Sequence, residues 1–98
     1  MKNKDTSSEW KDFLQLLLSL DSENLIDEFC DYIFTLSEKD TLKWRCALTK
    51  ELLLGGIPQR EISQKLNISI SKITSGSNAL KIISPDLKEH LVSFFSNQ

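Results

Sequence analysis

Histidine, glycine, proline and cysteine are all scarce in this chain, and no long apolar run occurs. His90 is the single histidine, so a Ser/His/Asp nucleophile set has no credible assembly. Beside Lys88 and Glu89 it suits a surface or subunit-contact position. Gly55-Gly56 reads as a helix stop, because no Gly-rich phosphate fingerprint follows a strand. No carboxylate pair has a spacing that suggests acid–base chemistry. Cys30 and Cys46 lack metal-ligand spacing and fall within apolar helical patterns, which predicts buried free thiols and a reducing cytoplasm. The first nine residues are polar and the longest apolar stretch is too short to span a bilayer, so neither a signal peptide nor a membrane segment is expected. Enzymes, metal proteins and membrane proteins are thereby set aside.

What is present is helical periodicity. Ninety-eight residues suit one domain, 1–98, and 40% hydrophobic with 27% charged residues is an ordinary globular mix. No stretch alternates with period two long enough for a strand, which leaves an all-α chain of six helices. Residues 1–7 read as a flexible start, and Thr6 to Glu9 matches a capping box for the first helix. Trp10, Phe13, Leu14 and Leu17 share one face, and Leu16, Leu18 and Leu20 widen it. Asp21 and Ser22 cap a second helix with a stripe of Leu25, Ile26, Phe29, Cys30, Ile33 and Phe34, ended by Thr35 and Leu36. Ser37, followed by Glu38 and Asp40, begins a third helix that runs to about Leu54 and stops at Gly55-Gly56. Ser84-Pro85-Asp86 opens a last helix whose inward stripe is Leu87, Leu91, Val92 and Phe95. The first two helices carry more apolar surface than a small monomer easily hides, which predicts a partner subunit.

Residues 59–82 form the most informative segment. Two short helical patterns, one ending near Leu66 and one running from Ser69 or Ser71 to about Ile83, flank a polar turn, as in a helix-turn-helix. Ile62 and Leu66 face inward, the small Ser63 allows a close crossing, and Asn67 tolerates the left-handed backbone of the turn. Ile68 and Ile73 fill the angle between the helices. Gln59, Arg60, Ser71, Lys72 and Thr74 are left facing out, with groups suited to phosphates and base edges. Charge agrees. Residues 1–40 hold four Lys/Arg and ten Asp/Glu, a net of −6; residues 41–98 hold eight and four, a net of +4. DNA responds to the local field, which salt screens beyond about 8–10 Å, so the basic half is expected to face the duplex. A scattered solvated surface, and a helical interaction module with a disused DNA unit, are the competing readings.

Glu51-Leu52-Leu53, Gln59-Arg60-Glu61 and the run Ile73-Thr74-Ser75-Gly76-Ser77-Asn78-Ala79-Leu80-Lys81, with the order of elements, resemble the tryptophan operon repressor family from Glu9 onward. The resemblance implies an intertwined homodimer whose two reading heads project on a common two-fold axis. It implies an aporepressor that binds a palindromic operator with L-tryptophan as corepressor, and that controls tryptophan biosynthesis or transport genes. The DNA residues so implied are Gln59, Arg60, Ser63, Ile70, Ser71, Lys72, Thr74 and Lys81, with recognition leaning on water bridges and DNA shape. The ligand residues so implied are Tyr32 and Phe34 through backbone carbonyls of the second subunit, Thr35 near the indole, Arg45 over one indole face, and Ser75, Gly76 and Ala79. No metal and no catalytic residue is implied.

Two positions depart from the family pattern. Ser75 stands where an arginine usually covers the other indole face and meets the carboxylate. Losing that cation–π contact alone suggests about tenfold weaker binding. Trp44 stands where a smaller residue usually precedes the third-helix arginine, and its indole either crowds the ligand site or lines it. Ala79 replaces a serine, a milder change. A same-fold regulator with weakened, altered or absent tryptophan dependence is therefore the alternative.

Overall fold

A computed structural model describes residues 4–98. Among them are six helices and no strand: α1 Ser8–Ser19, α2 Glu23–Ile33, α3 Leu36–Leu54, α4 Gln59–Leu66, α5 Ile70–Leu80 and α6 Pro85–Ser96. The chain divides into two compact units, Met1–Lys39 and Asp40–Gln98, with the boundary inside α3. The change of charge sign along the sequence falls within one residue of that boundary.

In the first unit the helix starts are set by side chains that accept otherwise orphaned N–H groups. Ser7, not Thr6, is the N-cap of α1: its hydroxyl accepts from the Trp10 N–H. The Asp5 carboxylate accepts from the Ser7 N–H at 2.9 Å, and that bond holds Asp5 below its ordinary carboxylate range. This bond turns the chain one residue later than a Thr6 capping box would. Of the predicted flexible start, residues 1–3 lie outside the described residues, and 4–7 are non-helical. Ser22 caps α2 through the Leu25 N–H. Phe13 bridges the two helices, with ring centroids 5.4 Å from Trp10 and 6.2 Å from Phe29.

The α2–α3 junction differs from the sequence expectation. Thr35 and Leu36 do not trail α2, and Ser37 does not start α3. The Thr35 hydroxyl accepts from the Glu38 N–H at 3.1 Å, while the Glu38 carboxylate accepts from the Thr35 N–H at 2.8 Å. This reciprocal capping box starts α3 at Leu36. The Thr35 N–H also holds the Glu38 carboxyl below its usual range. Lys39 pairs with Asp31 at 2.6 Å, and that bond raises the Lys39 ammonium above its ordinary value.

The second unit is built on a core of Leu48, Ile62, Ile68 and Ile73, with Trp44, Leu52, Ile57 and Leu66 packed around it. Gly55 and Gly56 end α3 at φ 68° and 95°, backbone that side-chain-bearing residues rarely adopt. Asn67 takes φ 55°, ψ 50° between α4 and α5, the left-handed turn expected of it. The two sides of this turn are cross-linked. Ile68 N–H donates to the Ser63 carbonyl at 3.2 Å, and the Ser63 hydroxyl donates to the Ile68 carbonyl at 2.6 Å. Lys65 meets Glu51 at 3.0 Å and ties α4 to α3. Ser69, rather than Ser71, caps α5 by accepting from the Lys72 N–H. Ser84 caps α6 with Pro85 in its first turn.

Two burial expectations are corrected. Cys46 is exposed and Cys30 only half-buried, both as free thiols. The inward face of α3 runs through Trp44, Leu48 and Leu52, and at about 100° per residue Cys46 is turned roughly 200° from Trp44. Leu87 is exposed rather than inward, so the inward side of α6 is carried by Leu91, Val92 and the buried Phe95.

The turn supports a direct test. Asn67→Ala should destabilise the second unit by about 1 kcal/mol, because a Cβ without a compensating polar group is disfavoured in the left-handed region. Asn67→Gly should be neutral or slightly stabilising. Urea denaturation of the two variants checks both; equal destabilisation by alanine and glycine would remove the backbone explanation.

Candidate functional site

The exposed side of the α4–α5 pair is polar because the apolar side is consumed. Ile62 on α4 and Ile73 on α5 are buried, together with Ile68 in the turn. That burial fixes both helices in rotation and leaves Gln59, Arg60, Ser71, Lys72 and Thr74 exposed. Ile70 is also exposed, in the first turn of α5. Lys81 is the C-cap of α5, which ends at Leu80 instead of continuing to Ile83, and its ammonium reaches Asn78 Oδ1 at 3.4 Å. Ser63 does not belong to this surface in the same way. It is half-buried, and its one hydroxyl proton is already donated across the turn.

Behind this face lies a cavity of about 460 Å³, walled by α3, α5, α6 and the turn before α6. That size is within the range of small-molecule sites. Its apolar lining includes Leu48, Leu52, Leu80, Ile83 and Leu91. Arg45, Ser75, Gly76 and Ala79, singled out from the sequence, all line it. Thr49 also lines it, with its hydroxyl donated to the Arg45 carbonyl at 2.7 Å.

Gly76 is needed for packing as well as for room. A Cβ there would lie 2.7 Å from Leu48 Cδ2 and 3.7 Å from Leu52 Cδ1. Leu48 is only 2% exposed, so it has little freedom to move aside. The absent side chain thus lets α5 approach α3 closely.

Trp44 lines the cavity as a wall. Its indole is approached by two cations: Arg45 Cζ lies 5.6 Å and Lys72 Nζ 5.0 Å from the ring centroid. Lys72, read from the sequence as a DNA contact, therefore also stands at the cavity. It lies three residues before Ser75 on a helix, and that spacing places the two on one face, so the sequence held a signal for it. The contributions of Ile83 and Leu91 had no local signal, since they depend on how α6 folds back.

Tyr32, Phe34 and Thr35 belong to the first unit. Tyr32 is 83% exposed, Phe34 is half-buried at the α2 C-cap, and the Thr35 hydroxyl accepts the Glu38 N–H. Among the described residues no helix is long and apolar enough to cross a membrane, and no group of His, Cys, Asp and Glu could hold a metal ion.

Comparison with known proteins places the chain in context. A family model described as Trp repressor protein matches residues 8–94. A Trp operon repressor homolog from Haemophilus influenzae (strain PittEE) is 39% identical over 87 residues, covering 85% of this chain and 86% of the relative. Trp operon repressor homologs from Chlamydia caviae and Chlamydia trachomatis serovar D are 36% and 37% identical over 91 residues. Each covers 93% of this chain, with 90% and 96% of the relative.

Proposed function

The chain belongs to the Trp repressor protein family, and from that premise we propose that it is a non-enzymatic, DNA-binding transcriptional repressor gated by L-tryptophan. It acts in the cytoplasm as a homodimer on a palindromic operator and controls tryptophan biosynthesis or transport genes. The observation that carries this reading is the position of the cavity. Its lining comes from α3 and α6 as well as from the reading helix α5. A ligand filling it touches both, so ligand occupancy and the placement of α5 share one free energy.

The DNA contacts are assigned to Gln59, Arg60, Ile70, Ser71, Lys72, Thr74 and Lys81, with Ser63 holding the turn. The indole and carboxylate are assigned to Arg45, Ser75, Gly76 and Ala79. Thr35 is assigned a place near the indole, and the ligand ammonium goes to the backbone carbonyls of Tyr32 and Phe34 from the second copy. Dimerisation is supported by α1 and α2, which bury no residue fully. Leu18 is 85% and Leu36 84% exposed in the chain. Apolar surface of this kind needs a cover, and a second copy supplies it symmetrically. Two heads related by a two-fold axis then meet successive major grooves about 34 Å apart.

Titration of a labelled palindromic operator with and without L-tryptophan tests the gate. Affinity should rise at least fivefold with saturating ligand, the low end of ordinary coupling energies. Equal affinities would remove the gate and leave the second reading, a constitutive DNA binder of the same fold. That reading is favoured by two features: Ser75 carries no charge, and the chain's own indole, Trp44, already forms part of the cavity wall.

A further inference from the structure

We infer that Lys72 is a specificity-determining residue of the cavity, the second cation that meets the carboxylate of an aromatic amino acid bound there. The inference rests on the ligand reading above and assigns a partner within it. Among the residues that line the cavity, only Arg45 and Lys72 are charged, and both are positive. They come from different elements, α3 and the first turn of α5, yet converge on one indole. Arg45 lies 5.6 Å and Lys72 5.0 Å from the Trp44 ring centroid. No carboxylate stands in the lining to neutralise them. A ligand with an apolar body and one anionic end matches an apolar cavity with two cations at one wall.

Trp44 explains why a long, flexible lysine is held there. Cation–π attraction steers the ammonium to the ring face, and the ring itself is packed against the core. The ammonium keeps further donors for a carboxylate, because a lysine has three and the ring face uses one direction. Lys72 is an α5 residue whose neighbours serve the reading face. Its capture by a ligand would therefore report occupancy to the helix that enters the groove. Ser75, one turn further along the same face, is the position from which a cation could replace it.

Calorimetry on the whole chain, without DNA, separates this role from any phosphate contact. The ligands are L-tryptophan and tryptamine, which lacks the carboxylate; the variants are Lys72→Met, Lys72→Arg and Lys72→Met with Ser75→Arg. Lys72→Met should weaken L-tryptophan about tenfold, the loss of one charge-assisted bond, and leave tryptamine unchanged. Lys72→Arg should retain most of the affinity, and Ser75→Arg should restore what Lys72→Met loses. Thermal melts of each variant confirm folding. If wild type binds L-tryptophan and Lys72→Met binds it equally well, or weakens both ligands alike, the assignment is overturned while the ligand reading stands. If wild type binds no L-tryptophan, both fall together.

Discussion

Ile73→Ala should destabilise the unit Asp40–Gln98 by about 2–5 kcal/mol, the cost of deleting buried methyl and methylene groups that neighbours cannot refill. Ile73 is 0% exposed and sits where Leu48, Ile62 and Ile68 meet. It is the contact through which α5 is seated on α3 and α4. A small domain has only about 5–15 kcal/mol in total, so this one change removes a large share. The local geometry limits relaxation, because α5 already approaches α3 at the closeness that Gly76 permits. Urea denaturation at fixed protein concentration measures the loss. Ile70→Ala is the control. It is the same substitution three residues earlier, at the first residue of α5, where the side chain is exposed, and should change stability by no more than about 0.5 kcal/mol. Equal effects at 70 and 73 would contradict the burial of Ile73 that seats α5.

The second large effect is on binding. Operator affinity should fall roughly 150-fold between 50 and 200 mM salt, because neutralising about four phosphates gives a logarithmic slope near −3.6. In the proposed dimer those four contacts are assigned to Arg60 and Lys81 of each copy, because the bound ligand's carboxylate holds Lys72. Lys81→Ala should lower affinity for all sequences alike and reduce the slope by about 2 for the proposed dimer, one phosphate per copy. The formal net charge of −2 does not oppose this, since the acidic residues concentrate in residues 1–40. Affinity measured at several salt concentrations checks the slope. A flat response would end the DNA-binding proposal and favour a protein-interaction role for the same helices.

Much of the fold was legible because its signals are local. Serines ahead of apolar runs cap α2, α5 and α6, and Gly55-Gly56 and Asn67 take the left-handed backbone that stops a helix. Each such decision involves residues within one helical turn. The differences at Thr6 and Ser37 are also local and one residue wide. At both junctions several capping residues stand within two positions of one another, and the choice depended on which hydrogen bonds closed together. At Thr35 the closing partner was Glu38, three residues on.

The cavity lies beyond that reach, though several of its residues were visible beforehand. Arg45, Ser75, Gly76 and Ala79 could be named from a motif, and they do share one wall system. That Lys72 leans on Trp44, that the Gly76 space belongs to Leu48, and that Ile83 and Leu91 complete the lining could not. Order and type of helices, the tight turn and the separation of charge were written in the chain, since short-range backbone chemistry and composition suffice for them. Which side chain turns toward the reading face, which toward the cavity and which into the core was settled only when α3, α5 and α6 packed. One helix rotation of about 100° per residue moves a group between those three environments, and long-range burial alone selects among them.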